Sequence, residues 1–217
     1  LYNIAHCFVV IIINNQLKNY GGDLAIASYG VINRIVFVFA MIIMGLNQGM
    51  QPITGYNYGA KQYDRMLRSF YLTCLYATGV MAIIFILGEC FPRQITQIFT
   101  HDINLIEQTI VPMRIICSTM LIIGFQMVAG NFFTSIGMAG KSIFLSMTRQ
   151  VLYLIPLLLF VPLLFENPVL GVWWAIPISD TMAAITAAIM LGISIKHFRG
   201  LINEQEAWKV TCPPEPD

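Results

Sequence analysis

Asp180 poses the sharpest chemical question in this sequence. It lies about ten residues into an apolar stretch of about 26, residues 170–195, which is long enough to cross a bilayer. An ionised carboxylate facing lipid at that depth costs several kcal/mol, so the side chain must face a bundle interior or a wet cavity. Its surroundings suit that: Ala183, Ala184, Ala187 and Ala188 form a small-residue face, Pro177 loosens the helix three residues earlier, and Ser179, Thr181 and Thr186 supply hydroxyls. Two chemistries fit. Asp180 is a titrating or cation-binding carboxylate, or it is a buried acid that caps a broken helix or pairs with another span.

Three further side chains carry polar chemistry inside apolar runs. His6 stands in the first run, where an imidazole that titrates near neutrality can relay protons or touch a substrate, or simply be a satisfied interior histidine. Gln126 and Asn131 share the fourth run, where they line a polar cavity or hydrogen-bond between helices. The second run ends Gly45-Leu46-Asn47-Gln48-Gly49-Met50-Gln51-Pro52. Gly45 and Gly49, four apart, offer one helix face to a close neighbour, while Pro52 disfavours helix at Gln51. This segment reads as a packed helix end or as a hinge at a cytoplasmic gate.

The elements that must hold these residues follow from composition. The 217 residues are 57% hydrophobic and 11% charged, against about 25% charged in soluble domains, and the mean hydropathy is +0.72. Six apolar segments stand out, at about 1–15, 28–53, 70–90, 110–135, 143–165 and 170–195, each near the 20 or so residues of a membrane helix. They are too long for the strands of a membrane barrel. The class is therefore an all-α integral membrane protein, a six-helix transmembrane bundle over 1–200 with a disordered cytoplasmic tail over 201–217. Turn formers separate the segments: Tyr20-Gly21-Gly22-Asp23, Gly55-Tyr56-Asn57-Tyr58-Gly59, Phe91-Pro92, Gly137-Met138-Ala139-Gly140 and Glu166-Asn167-Pro168. Residues Gln62 to Arg68 suggest a short amphipathic helix at the interface.

The bilayer is the first expected partner. The net charge of +1 gives no basic excess for nucleic acid, and five scattered cysteines without a C-x-x-C pair argue against a disulfide framework or a metal site. The 12 basic residues divide between the two sides of the six segments. Lys61, Arg65, Arg68, Lys141, Arg149, Lys196, Arg199 and Lys209 fall on one side; Lys18, Arg34, Arg93 and Arg114 fall on the other. Basic loops stay in the cytoplasm, so the loops near 55–69 and 136–142 and the tail are expected there, and the membrane is the plasma membrane. Arg34, Arg114 and Arg149 lie close enough to segment ends to snorkel to the interface. Residues 135–142 nearly match a phosphate-cradling loop, but Ser135 replaces the first glycine and no strand precedes it.

Several stretches together resemble one family. Gln51-Pro52-Ile53-Thr54-Gly55-Tyr56-Asn57-Tyr58-Gly59-Ala60-Lys61 looks like a signature of the multidrug and toxic compound extrusion (MATE) family, with Gly55, Asn57, Gly59 and Ala60 as its core. Gly137-Met138-Ala139-Gly140-Lys141-Ser142, then Arg149-Gln150, Pro156 and Pro162, and Gly171-Val172-Trp173-Trp174-Ala175-Ile176-Pro177-Ile178-Ser179-Asp180 follow in the same order. The resemblance spans about residues 1–200 and implies the C-terminal six-helix half of a twelve-helix, two-bundle antiporter. It implies export of small organic cations in exchange for H+ or Na+, without an organic cofactor and without enzymatic activity. The chain opens on Leu1 rather than Met, as expected of a piece cut from a longer parent with a further N-terminal half.

The resemblance also sets a discrepancy. Some members place coupling carboxylates on the first and fourth segments of this half, yet residues 1–15 and 108–135 contain no Asp or Glu. The main ion site is therefore expected in the N-terminal half. Phe37, Met41, Met44, Phe125, Met127, Phe132 and Phe133 are candidates for contacting apolar cations through ring faces and sulfur. The rival readings are a flippase of related fold for a lipid-linked precursor, and a non-catalytic membrane scaffold.

Overall fold

The computed structural model describes the backbone of residues 2–211 and the side chains of residues 6–205. Among the described residues there is no strand. The first helix, α1 (Tyr2–Gly59), is broken at Gly22, which adopts φ 70° and ψ −165°. That left-handed backbone favours glycine, and the break divides α1 into two arms. Then come α2 (Tyr63–Cys90), α3 (Pro92–Phe99), α4 (Ile103–Cys117), α5 (Met120–Ser135), α6 (Ala139–Met147), a π-helical stretch (Thr148–Leu154), α7 (Ile155–Leu164) and α8 (Pro168–Thr211).

Four helical stretches are long and apolar enough to cross a membrane, and α4 with α5, bent by 51°, make a fifth. The first of these, His6–Gly59, has 54 residues, or about 80 Å of helix at 1.5 Å per residue. One crossing needs about 30 Å. Counting the two arms of α1 separately recovers the six apolar segments of the sequence. The α4–α5 bend is built from hydroxyls: Ser118 donates to the Ile115 carbonyl (2.7 Å) and Thr119 to the Ile116 carbonyl (3.3 Å). Those hydroxyls supplement the backbone bonds at the bend, where Thr119 N–H also donates to the Ile116 carbonyl (3.4 Å), so that polar groups are satisfied in a lipid environment.

Turns close by recognisable backbone chemistry. At the end of α5, Met138 N–H donates to the Phe133 carbonyl (2.9 Å) and Gly137 N–H to the Thr134 carbonyl (3.1 Å). Gly137, at φ 77°, takes the left-handed position of this Schellman motif. The same motif ends α1, with Gln62 N–H on the Asn57 carbonyl (2.8 Å) and Lys61 N–H on the Tyr58 carbonyl (3.0 Å). Here Lys61, at φ 57°, fills the left-handed position.

Three local expectations need correction. The tight turn expected over Gly55–Lys61 is confined to its end, because α1 stays helical through Gly59 and the left-handed residue is Lys61 rather than a glycine or asparagine. Gln62 to Arg68 is no separate interfacial helix; from Tyr63 it is the first turns of α2, held by buried Met66, Leu67 and Phe70. The segment from 201 was expected to be disordered, but α8 runs on to Thr211, with Leu201 and Ile202 packed against the core. The residues beyond Thr211 lie outside the described residues.

The core gathers Phe70, Phe132, Phe133 and Trp173, all fully buried, with the Phe70 and Phe132 rings 4.7 Å apart. Helices approach most closely at glycines. A Cβ on Gly171 would stand 2.6 Å from Pro162 Cα, and one on Gly124 would stand 2.8 Å from Met81 Cγ. Large apolar side chains such as Ile11, Leu75, Phe160 and Leu164 remain exposed, as a surface solvated by lipid requires. Lys141 donates to Ser194 Oγ (3.1 Å) and Gln205 to the Lys61 carbonyl (3.3 Å). The α1–α2 turn, the α5–α6 turn and the last part of α8 thus share one end of the bundle.

Candidate functional site

A cavity of about 440 Å³ opens between the second arm of α1, α5, α6 and the start of the π-helical stretch. Met44, Asn47, Gln48 and Gln51 come from α1 at spacings that place them on one face. Gln126, Met127, Gly130 and Asn131 come from α5 by the same spacing. Ser142, Leu145, Ser146 and Arg149 close the wall. Among the described residues no carboxylate lines it. Gln51 Nε2 donates to Asn131 Oδ1 (3.1 Å) across the α1–α5 seam, and Asn131 Nδ2 donates to the Met127 carbonyl (2.9 Å).

Two lining side chains are not satisfied by the protein. Asn47 is 2% exposed, and neither of its amide atoms has a hydrogen-bond partner; Gln126 is 8% exposed, and its Oε1 has none. A buried amide without a partner costs about 1–3 kcal/mol. Such groups at a cavity wall are fitted to bind water or a polar ligand.

Behind the cavity, Arg149 Nε donates to Asp180 Oδ1 at 2.7 Å, with 24% of the Arg149 side chain exposed and 3% of that of Asp180. Asp180 is thus paired with another span through Oδ1, while its Oδ2 has no hydrogen-bond partner. Arg149 lies in the π-helical stretch and reaches α8 from there. The expectation that Arg149 snorkels to the interface is therefore corrected: a carboxylate in the next span draws it inward. Ser179 Oγ donates to the Arg149 carbonyl (3.3 Å), and Tyr153 and Thr186 hydroxyls meet at 2.9 Å. Ala183, Ala184 and Ala187 are buried as expected, whereas Ala188 is exposed.

The structure brings Gln51, Gln126 and Asn131 together and leaves other candidates apart. His6 is exposed and does not line the cavity. Gly45 and Gly49 have nothing within 4 Å of an added Cβ, so no helix of the described residues packs on them. Helix α1 passes through Gly45–Pro52 with its non-helical dihedrals confined to Gly22. Gly55 is a close-approach position, where a Cβ would lie 3.0 Å from the Ser135 carbonyl. Asn57 Nδ2 donates to the Ile53 carbonyl (2.7 Å), Ala60 N–H donates to that of Tyr56 (2.9 Å), and Gly59 is exposed. Phe132 and Phe133 belong to the core rather than to the cavity; Met44 and Met127 do line it.

Sequence reasoning missed Asn47 and Arg149 as site residues. The signals were present: an asparagine inside an apolar run, and opposite charges in successive spans. Glu107 was also passed over. Helix α4 starts at Ile103, earlier than expected, so the fourth segment does carry this exposed carboxylate near its start.

The MatE family model matches residues 1–160. The chain belongs to the MatE family. This is a family of multi-pass plasma-membrane transporters, not of enzymes. The multidrug export protein MepA of Staphylococcus aureus (strain MSSA476) is 26% identical over 192 residues, covering 88% of this chain and 41% of that protein. MepA of Staphylococcus saprophyticus is 24% identical over 181 residues, 83% of this chain and 39% of that one. A crystallised MATE protein in complex with MaD3S superposes with a TM-score of 0.85 at 19% identity, over 92% of this chain and 44% of that chain. The chain thus spans about two fifths of the length of the curated relatives it matches.

Proposed function

We propose that the chain is the C-terminal six-helix half of a secondary multidrug exporter, moving small organic cations out of the cell in exchange for H+ or Na+. The observation that carries this reading is the membrane-embedded polar cavity on α1, α5 and α6, in a chain of the MatE family. Its volume falls in the range of about 300–1,000 Å³ typical of small-molecule sites. Met44 and Met127 give an adaptable apolar wall, and the unpartnered oxygens of Asn47 and Gln126 accept hydrogen bonds from a cationic or polar substrate. A second six-helix half closes the cavity from the opposite side, and the two halves rock about it in alternating access.

The coupling ion is bound elsewhere on this reading. No carboxylate lines the cavity among the described residues, and Asp180 is engaged by Arg149. An acid in the N-terminal half supplies the exchange. The full polypeptide that carries these residues, reconstituted in proteoliposomes, should move a fluorescent organic cation when a proton or a sodium gradient is imposed. Residues 1–217 alone should not. Movement with neither gradient, or none at all by the full polypeptide, would overturn the proposal.

A further inference from the structure

At the end of the bundle that holds the α1–α2 turn, α2 and the last part of α8 enclose a second groove, of about 700 Å³, on a different set of helices from the cavity described above. Its polar half is formed by Arg68 and Asp64 at the start of α2, and by Arg199 and Asn203 on α8. Both arginines are exposed, and Arg199 Nη2 reaches Tyr71 Oη at 3.5 Å, which holds the guanidinium over the groove. Its other half is apolar. Leu72 and Leu75 follow Arg68 along the same face of α2 at helical spacing and are 45% and 67% exposed, continuing the groove toward the middle of the span.

We propose that this groove is a binding site for an anionic phospholipid whose headgroup carries hydroxyls, of the phosphoglycerol class. The phosphodiester lies between Arg68 and Arg199, and an acyl chain runs along Leu72 and Leu75. Charge complementarity supports this occupant: two guanidiniums against the single carboxylate of Asp64 leave one positive charge, which matches one phosphodiester. Arginine donates in a planar fork suited to phosphate oxygens. Asp64 and the Asn203 amide accept hydrogen bonds from headgroup hydroxyls, which gives the acid in the groove a role rather than a penalty. Basic pockets between spans on the cytoplasmic side are a general solution for anionic headgroups, and this end of the bundle carries the larger share of basic residues. Tyr71, about one helical turn along α2 from Arg68, supplies an amphipathic ring of the kind enriched where headgroups meet acyl chains. A soluble anion would match the arginines but would leave the apolar half of the groove unused.

The test is native mass spectrometry of the full polypeptide, titrated with phosphatidylglycerol or phosphatidylcholine. Phosphatidylglycerol should be retained as the tighter adduct, and the double variant R68Q/R199Q should weaken it more than ten-fold, since it removes both guanidiniums that donate charge-assisted hydrogen bonds to the phosphodiester. The control R65Q/K196Q removes the same charge from exposed positions outside the groove and should change retention by less than two-fold. Circular dichroism and gel filtration check that both doubles are folded. Equal weakening by the two doubles would reduce the effect to bulk attraction, and equal retention of the two lipids would remove the headgroup preference. Displacement of the lipid by millimolar inorganic phosphate would mean a phosphate site instead. Any of these three results overturns the proposal.

Discussion

Arg149 and Asp180 meet at 2.7 Å between the fifth and sixth apolar segments, whereas Asn47 and Gln126 leave amide atoms without protein partners beside the cavity. The first pair is a tie. Its opposite charges meet through one carboxylate oxygen, the other being without a hydrogen-bond partner, and it joins the π-helical stretch to α8. The second pair consists of buried side chains at the cavity wall whose hydrogen-bonding capacity is not filled by the described residues. The difference is between a charged pair that bridges two spans and neutral amides that, on the proposed reading, meet substrate. Depth in the membrane alone does not distinguish them.

The largest effect should come from cutting the tie. Asp180→Asn leaves Arg149 beside a neutral amide in the bundle interior, and breaking a buried pair costs about 3–5 kcal/mol. The full polypeptide should show a strongly lowered thermal midpoint and reduced membrane abundance. The double change Arg149→Gln with Asp180→Asn removes both charges and should recover most of that loss. If Asp180→Asn folds as well as wild type but stops transport, the carboxylate is chemical rather than structural.

A second contrast concerns glycines. Gly171 lies against the backbone of Pro162, so Gly171→Ala should destabilise by about 1–3 kcal/mol through overpacking. Gly45 has open space, so Gly45→Ala should leave the thermal midpoint unchanged or raise it, since alanine favours helix by up to about 1 kcal/mol. A loss at Gly45 as large as at Gly171 would show that a second body packs on that face. The smallest effect is expected at the α1–α2 turn. Lys61→Gly relieves a left-handed lysine and should stabilise by about 1 kcal/mol, measured as a shift in thermal midpoint. No gain would mean that the Lys61 side chain compensates for its backbone.

The same contrast explains what the sequence made legible. Apolar run length set the fold class and the segments, because a bilayer imposes length directly. Asp180 stood out for the same reason, since a carboxylate at mid-depth breaks the apolar pattern. Arg149 was misread because distance to a segment end predicts snorkelling, while a π-helical stretch leaves no mark in hydropathy. Gly45 and Gly49 have the spacing of a packing face, yet the glycines that admit close neighbours include Gly55, Gly88, Gly124 and Gly171. Spacing alone does not say which face meets another helix. Within the expected turn the glycines and asparagine drew the reading to themselves, while the left-handed position fell to Lys61.

Transport at equal protein level tests the central claim most directly. Two doubles of the full polypeptide should be compared with wild type in proteoliposomes by efflux of a fluorescent organic cation: Asn47→Leu with Gln126→Leu, and Arg149→Gln with Asp180→Asn. On this account the cavity double stays folded and loses at least ten-fold in transport rate, because substrate meets two apolar side chains in place of two unpartnered amides. The tie double, once matched for folded protein, should lose less than the cavity double, because Arg149 reaches the cavity wall but its Nε is turned to Asp180. Full transport by the cavity double together with none by the folded tie double would contradict the account and move the site to Asp180.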